Sequence, residues 1–420
     1  MAAFRFLHCA DIHLDSPLRG LTAYTGAPVE EVRSATRRAF ENLCALAVEE
    51  KVDFVVIAGD LYDGDWRDFQ TGLFFAQQMA RLGRAGIRVY VVLGNHDAAA
   101  IITRSLPPQA HVRVLSAKRP EQVAVEGLDV VIHGQSFATR VVSDDLAAAY
   151  PQPVAGCFNI GLLHTALSGR PDHDNYAPCS VGQLVNHGYD YWALGHVHAR
   201  EIVHEAPHIV FPGNLQGRNI RETGAKGATL VKVEDGRIRS VEHRAVDMLR
   251  WARVSADITG CTDHADMLSR LRAPLEDALE QAENRILAAR IGFTGISAAH
   301  GRLARDRIML REEVRAIAAD LSDAVWIEKV ELATRPEIDR QSRRGRDDAM
   351  GELLAGLDGL MADPQAVRAL LRDIAPLWEK LPAELREGLP DPNDPDTLGA
   401  TLADIEDLLV SALTDVAGAP

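Results

Sequence analysis

The stretch 88-RVYVVLGNHD-97 decides how this chain is read. Val89 to Leu93 is an unbroken apolar run, the mark of a strand buried on both faces, and it closes on Gly94 before presenting Asn95, His96 and Asp97. In open α/β sheets the ligand crevice lies beyond the carboxyl ends of the strands, so a buried strand that stops at a glycine and then turns polar aims ligand-type groups into it.

Four other segments end in the same way. Phe4 to His8 reads as a strand running into CADIHLDSP, where Asp11 and His13 stand two apart and so face one side of an extended segment. The run 53-DFVVIAGD-60 closes on Gly59 and Asp60, with Asp63 just beyond. Phe158 to Leu167 carries His164 near its end, and Tyr191 to His198 ends in His196 and His198. Helical spacing over Val29 to Lys51 and Phe69 to Leu82 separates the first three strands, and this β-α-β-α-β order predicts a mainly parallel sheet.

Beyond GNHD, short strands are predicted over Val112 to Leu115, Gln122 to Val125 and Leu128 to Gly134, and Asp172, His173 and Asp174 read as a solvated loop. After the last ligand-type strand come FPGN, a turn carrying QGRNIRETGAKG over 216–227, and a hairpin on Asp235-Gly236. From Trp251 to Arg335 the rhythm becomes strand, helix (Thr262 to Gln281), strand, helix (Ala304 to Leu321), strand, which predicts a small separate α/β domain. Past Gly345 apolar residues recur at helical spacing (Leu353, Leu357, Leu360; Leu370, Ile374, Trp378; Leu402, Ile405, Leu409), interrupted by PDPNDPD over 390–396. The division expected is 1–247, 248–340 and an acidic helical region over 341–420.

Composition narrows the class of protein. A chain of 420 residues, 47% hydrophobic and 25% charged, suits a soluble protein of two or three domains. No apolar run reaches the length of a membrane span, and the N-terminus runs directly into a strand rather than a signal peptide, so a cytoplasmic protein is expected. Five cysteines without CxxC spacing argue against a disulfide framework and a zinc knuckle. The net charge of -15 discourages a nucleic-acid partner at first sight, but 16 Asp and Glu against 5 Arg and Lys lie from Gly345 onward, and the rest of the chain is close to neutral.

The strand ends together supply Asp11, His13, Asp60, Asn95, His96, His164, His196 and His198. Imidazole, carboxylate and amide oxygen without thiolate suit Mn, Fe or Zn. The set exceeds the needs of one ion, whereas two ions about 3.5–4 Å apart, bridged by one carboxylate, would use it to clamp both oxygens of a phosphoryl displacement. A lone histidine at a strand end is ordinarily a satisfied polar residue, and that reading is kept for His8, His111, His133, His173, His187, His204 and His208. GNHD alone could be a turn and GHVH two half-exposed strand residues. Five buried strands in one chain all ending in such residues is not turn chemistry.

In their order and separation, DIH, GDLYD, GNHD, LLHT and GHVH resemble the motifs of the calcineurin-type metallophosphoesterases over roughly the first half of the chain. HCADIHLDSPL, GDLYDGDW and FPGNLQGR are most similar to the SbcD and YhaO group of bacterial DNA-repair exonucleases, and 248–340 resembles that group's capping domain. The fold implied is a metallophosphoesterase β-sandwich flanked by helices, with a small α/β cap and a helical C-terminal tail. The resemblance implies two divalent cations, Mn2+ above all, with Asp11, His13 and His198 holding one, Asn95, His164 and His196 the other, and Asp60 bridging. It leaves His96 to face the leaving oxygen, with Asp63 orienting it. Archaeal and eukaryotic nucleases carry histidine where Asp63 stands, and the Gly or Ser that often precedes the residue matching His164 is missing here.

Arg218, Arg221 and Lys226 follow the last ligand strand closely enough to contact substrate phosphates; a mixed-charge loop with Glu222 fits the same residues. For the acidic tail the resemblance implies docking on an SbcC-like coiled-coil ATPase, and packing back on its own domain explains the same apolar stripes. It also implies homodimerisation. The expected activity is a Mn-dependent DNA exonuclease, 3′ to 5′, acting in DNA repair. The alternatives are a small-molecule phosphoesterase, such as a nucleotide or cyclic-nucleotide hydrolase, and a scaffold with a structural metal site.

Overall fold

In the computed structural model the described residues are 3–18, 29–63, 69–98, 109–168, 176–337 and 347–363, with short runs between 365 and 409. Asp172, His173, Asp174, Leu370, Ile374 and the linker 390–396 lie outside them. Two compact units are present: Met1–Arg253 with Leu279–Ala289 and Ala324–Glu328, and Val254–Ala278 with Arg290–Asp323 and Lys329–Pro420.

The first unit opens with four parallel strands, β1 (Phe4–Cys9), β2 (Phe54–Ala58), β3 (Arg88–Val92) and β4 (Val112–Val114). Helices α1 (Val29–Glu49) and α2 (Phe69–Arg84) join the first three, and the single turn α3 (Asn95–Ala98) follows β3. The chain continues through β5 (Glu121–Ala124), β6 (Val130–Gly134), β7 (Phe158–His164), α4 (Val181–Asn186), β8 (Tyr191–Gly195), β9 (Glu201–Glu205), β10 (His208–Phe211), β11 (Gly227–Glu234) and β12 (Arg237–Ala245). One sheet has the order β12-β11-β1-β2-β3-β4 and the other β5-β6-β7-β8-β10-β9. The parallel sheet expected from the first strands is thus the centre of a mixed one, because β11 returns antiparallel beside β1 and β12 beside β11.

Alternation along the strands builds the layers. Phe4 and Phe6 of β1, Phe54 and Val56 of β2, and Tyr90 and Val92 of β3 pack against Ile160, Leu162, Tyr191 and Val210 of the second sheet. The opposite faces, with Leu7, Val55, Ile57, Val89 and Val91, receive Phe40 and Leu43 of α1 and Met79 and Leu82 of α2. On the far side of the second sheet Leu163, Trp192 and Phe211 pack with Leu184 of α4. This is the helix-flanked two-sheet architecture expected. All five cysteines are free.

Three longer strands, β13 (Leu249–Asp257), β14 (Ile286–Ser297) and β15 (Val325–Pro336), form one sheet in that order, and the second unit holds them from Val254, Arg290 and Lys329 onward. Helix α5 (His264–Gln281) buries Met267, Leu271 and Leu275, spaced by four, as does α7 (Arg307–Leu321) with Leu310, Val314 and Ala318. The helix expected over Ala304 to Leu321 is broken: α6 (His300–Arg305) ends at Asp306, whose carboxylate accepts from Met309 N and starts α7. Asp348 caps α8 (Ala349–Ala362) likewise, accepting from Gly351 N. No helix among the described residues is long and apolar enough to cross a membrane.

Candidate metal centre

The ends of β1, β2, β3, β7 and β8 meet in the first unit. Asp11, His13, Asp60 and His196 all adopt positive φ (50°, 45°, 52° and 102°), so each strand breaks sharply where its ligand-type residue begins. This is why β8 ends at Gly195 and leaves His196 and His198 in the loop beyond, rather than carrying them as the sequence suggested. The glycines at these breaks give clearance. A Cβ on Gly94 would stand 2.3 Å from Asp60 Oδ1, and one on Gly195 would stand 1.9 Å from the carbonyl oxygen of Ala58.

Three groups of ligand-type atoms result: Asp11, His13 and His198; His13, Asp60 and His96; and Asp60, His164 and His196, each within 4.8 Å. Asp60 Oδ2 is central, 3.8 Å from His13 Nε2, 3.7 Å from His164 Nε2 and 4.0 Å from His96 Nε2. His198 Nε2 lies 3.9 Å from Asp11 Oδ1, and Asn95 Oδ1 lies 3.0 Å from His164 Nε2. Asp11, His13, Asp60, Asn95 and His164 are buried, while His96 is partly exposed at the rim.

These residues fit a pair of cations. His164 Nδ1 donates to the carbonyl oxygen of Ala58 at 2.8 Å, and His198 Nδ1 donates to Glu222 Oε1 at 2.8 Å, so both rings turn an Nε2 lone pair inward. His13 Nδ1 faces Asp63 Oδ1 at 3.6 Å, and its Nε2 stands 3.3 Å from that of His198. Two lone pairs at that separation repel unless a cation lies between them. Burial pushes His13 and His198 below the usual imidazole range and His164 down to about 3, so the rings are neutral and able to ligate. Burial, and then the neighbouring Asp60 carboxylate, raises Asp11; burial also raises Asp60. Positive charge between the two carboxylates would relieve both.

His96 behaves differently. Its Nδ1 is 3.1 Å from Asp63 Oδ1, and that hydrogen bond, with help from Asp60, raises its pKa despite partial burial. Burial would raise Asp63, but hydrogen bonds from His13 and His96 hold it well below the carboxylate range. Ser16 Oγ also donates to Asp63, at 2.7 Å. The rim therefore carries an imidazole whose charged form is favoured by the carboxylate fixed behind it.

The basic residues separate. Arg221 is exposed, and Arg218 sits between Asp63 (4.0 Å) and Glu222 (3.3 Å). Lys226 corrects the expectation of a phosphate contact: it is buried, and its Nζ donates to the carbonyl oxygen of His198 at 2.9 Å, holding the loop rather than facing a substrate. Two partners were not singled out from the sequence. Asp97 accepts from the backbone N–H groups of Tyr62 and Gly94, and burial, then Asp60, pushes it up to about 7. Glu222 was visible only as one charge in a mixed-charge turn.

A calcineurin-like phosphoesterase family profile matches residues 4–200, and a profile for the middle domain of metallophosphoesterase YhaO matches residues 251–335. The uncharacterized metallophosphoesterase YhaO of Bacillus subtilis is 38% identical over 258 residues, covering 60% of this chain and 63% of that protein. The DNA double-strand break repair protein Mre11 of Methanopyrus kandleri is 29% identical over 278 residues, covering 59% of this chain and 58% of that protein. The chain thus spans about three fifths of the length of these curated relatives. A dimetal phosphatase from Danio rerio aligns with a TM-score of 0.35 and 12% identity over 55% of this chain and 93% of that one, a likeness too low to carry weight. The calcineurin-like phosphoesterase match over residues 4–200 falls on the two-sheet unit whose strand ends carry the candidate ligands.

Proposed function

We propose that the chain is a Mn2+-dependent DNA phosphodiesterase that removes nucleotides 3′ to 5′ and acts in DNA repair in the cytoplasm beside an SbcC-like coiled-coil ATPase. The observation that carries the hydrolytic part is the sharing of Asp60 between two clusters, one with His13 and His96 and the other with His164 and His196, with His96 partly exposed and backed by Asp63. Asp11, His13 and His198 would hold one ion, Asn95, His164 and His196 the other, with Asp60 between. When bound, such a pair supplies positive charge to the phosphoryl oxygens and brings the pKa of the attacking water from 15.7 to about 7.

The chain's own groups do the rest. His96, whose charged form Asp63 favours, donates from that form its Nε2 proton to the leaving oxygen. Arg221, exposed in the turn after β10, and Arg218 behind it provide positive charge for the flanking phosphates without reading base sequence. DNA as the substrate is favoured by the similarity to the DNA double-strand break repair protein Mre11 of Methanopyrus kandleri. Under this proposal 1–247 is the nuclease domain, 248–340 the cap and 341–420 the partner-docking region of a homodimer.

The test supplies Mn2+ to the purified chain and compares a linear duplex labelled at either end with a chromogenic phosphate ester. Release of mononucleotides from the 3′ end is expected. Hydrolysis of the ester alone would leave a small-molecule phosphoesterase.

A further inference from the structure

Beyond the groups already assigned, the turn between β10 and β11 places a carboxylate directly behind one candidate ligand. Glu222 Oε1 lies 2.8 Å from His198 Nδ1. Its other oxygen accepts from Asn214 Nδ2 at 2.8 Å and from the backbone N–H of Arg218 at 2.7 Å, and the Arg218 guanidinium reaches Oε1 at 3.3 Å. A carboxylate held by that many donors has little freedom to move.

The turn itself is anchored. Gln216 accepts from Met248 N and Leu249 N and donates to the carbonyl oxygens of Leu249 and Gly217, and Trp251 Nε1 donates to Gly217 O at 2.9 Å. Asn214 Nδ2 also donates to Gln216 O, and Lys226 Nζ fastens the backbone of His198 from the other side. Glu222 is thus fixed on a rigid support facing the ring nitrogen that points away from the cluster.

That nitrogen has two competing neighbours. Arg218 Nη2 lies 3.2 Å from His198 Nδ1 and could donate to it, which would force the proton onto Nε2 and remove the lone pair from the cluster. Glu222 is nearer, is charged, and accepts from both groups. It requires Nδ1 to carry the proton.

We infer that Glu222 is a positioning residue for metal binding: it fixes the Nδ1–H tautomer and the ring orientation of His198, so that Nε2 presents its lone pair beside Asp11 and His13. The inference rests on the reading of His198 as a metal ligand and extends it to a residue that touches neither the ions nor the substrate.

The experiment uses the full chain, Mn2+ alone as the probe, and the variants Glu222→Ala and Glu222→Gln. In the metal-free wild type, 15N NMR of His198 should report the Nδ1–H tautomer, and titration should end in two Mn2+ equivalents with a spin-coupled signal. In Glu222→Ala the Nε2–H tautomer appears, one equivalent weakens about ten- to hundredfold while the other is kept, and an uncoupled Mn2+ signal replaces the coupled one. Glu222→Gln keeps the shape and an acceptor oxygen, and should lose less affinity at the same equivalent; it carries the test if the alanine variant does not fold. An unchanged His198 tautomer, unchanged affinities, or equal weakening of both equivalents in the variants overturns the inference and leaves Glu222 a support of the turn. A wild type that binds no pair of ions overturns the metal assignment of His198 as well, so the two failures are distinct.

Discussion

His96 Nδ1 and Asp63 Oδ1 are 3.1 Å apart, and the carboxylate is held in turn by Ser16 Oγ, so this partly exposed imidazole has its far nitrogen fixed. That geometry fixes a proton on Nδ1 and favours the imidazolium form, in which Nε2, the nitrogen turned toward Asp60 and the open rim, also carries one.

His96→Asn should therefore lower kcat by about 10²- to 10⁴-fold, the contribution typical of a positioned general acid. Bound Mn2+, measured by elemental analysis, should stay near two equivalents. Metal loss in step with activity would place His96 among the ligands. Asp63→Asn should cost activity by about ten- to hundredfold, as expected for a carboxylate that orients an imidazole.

Removal of metal should expose the strain of two buried carboxylates. Asp11 and Asp60 both resist ionisation because they are buried, and Asp60 adds like charge at Asp11. Chelator treatment should lower the thermal midpoint, and Mn2+ at about 100 times its Kd should restore about 2.7 kcal/mol. A midpoint unaffected by either would mean that the site binds no ion in the folded state.

Gly94→Ala should damage the centre without touching a ligand. The added Cβ would stand 2.3 Å from Asp60 Oδ1 and 2.8 Å from Asp60 N, so the central carboxylate must move. Loss of about 1–3 kcal/mol in urea unfolding, with weaker Mn2+ binding, is expected from overpacking at this point. Gly86→Ala, at a position with open space but a φ of 76°, should leave Mn2+ binding unchanged.

His8, which is not among the candidate ligands, provides a pH dependence of stability. It is fully buried; its Nε2 donates to the carbonyl oxygen of Leu194, and its Nδ1 accepts from the Tyr191 hydroxyl, both at 3.0 Å. Burial lowers its pKa from 6.5 to about 3, so the unfolded chain binds this proton more readily than the folded one. Its contribution is intact above pH 6.5 and is lost progressively as pH falls toward about 3. Urea unfolding across that window should show a decline of up to about 1.4 kcal/mol per pH unit from this residue, and His8→Asn should flatten the curve. An identical slope in the variant would assign the acid sensitivity elsewhere.

Much of this molecule can be read in the chain itself. Buried strands announce themselves as apolar runs, and at Gly59, Gly94 and Gly195 a glycine precedes the ligand-type residue because a side chain there would collide with the site or its support. Local pattern therefore marks Asp11, His13, Asp60, Asn95, His96, His164, His196 and His198 as ligand-type residues at strand ends. It could not locate Glu222, which is 24 residues from His198 in sequence and 2.8 Å from it in space. Nor could it separate Lys226, turned inward onto His198 O, from exposed Arg221 in the same turn. Periodicity reports which face of an element is buried, whereas the partner of a polar side chain depends on how distant turns are brought together. Only the tertiary structure decided which carboxylate stands behind which imidazole, and hence which ring nitrogen faces the cluster.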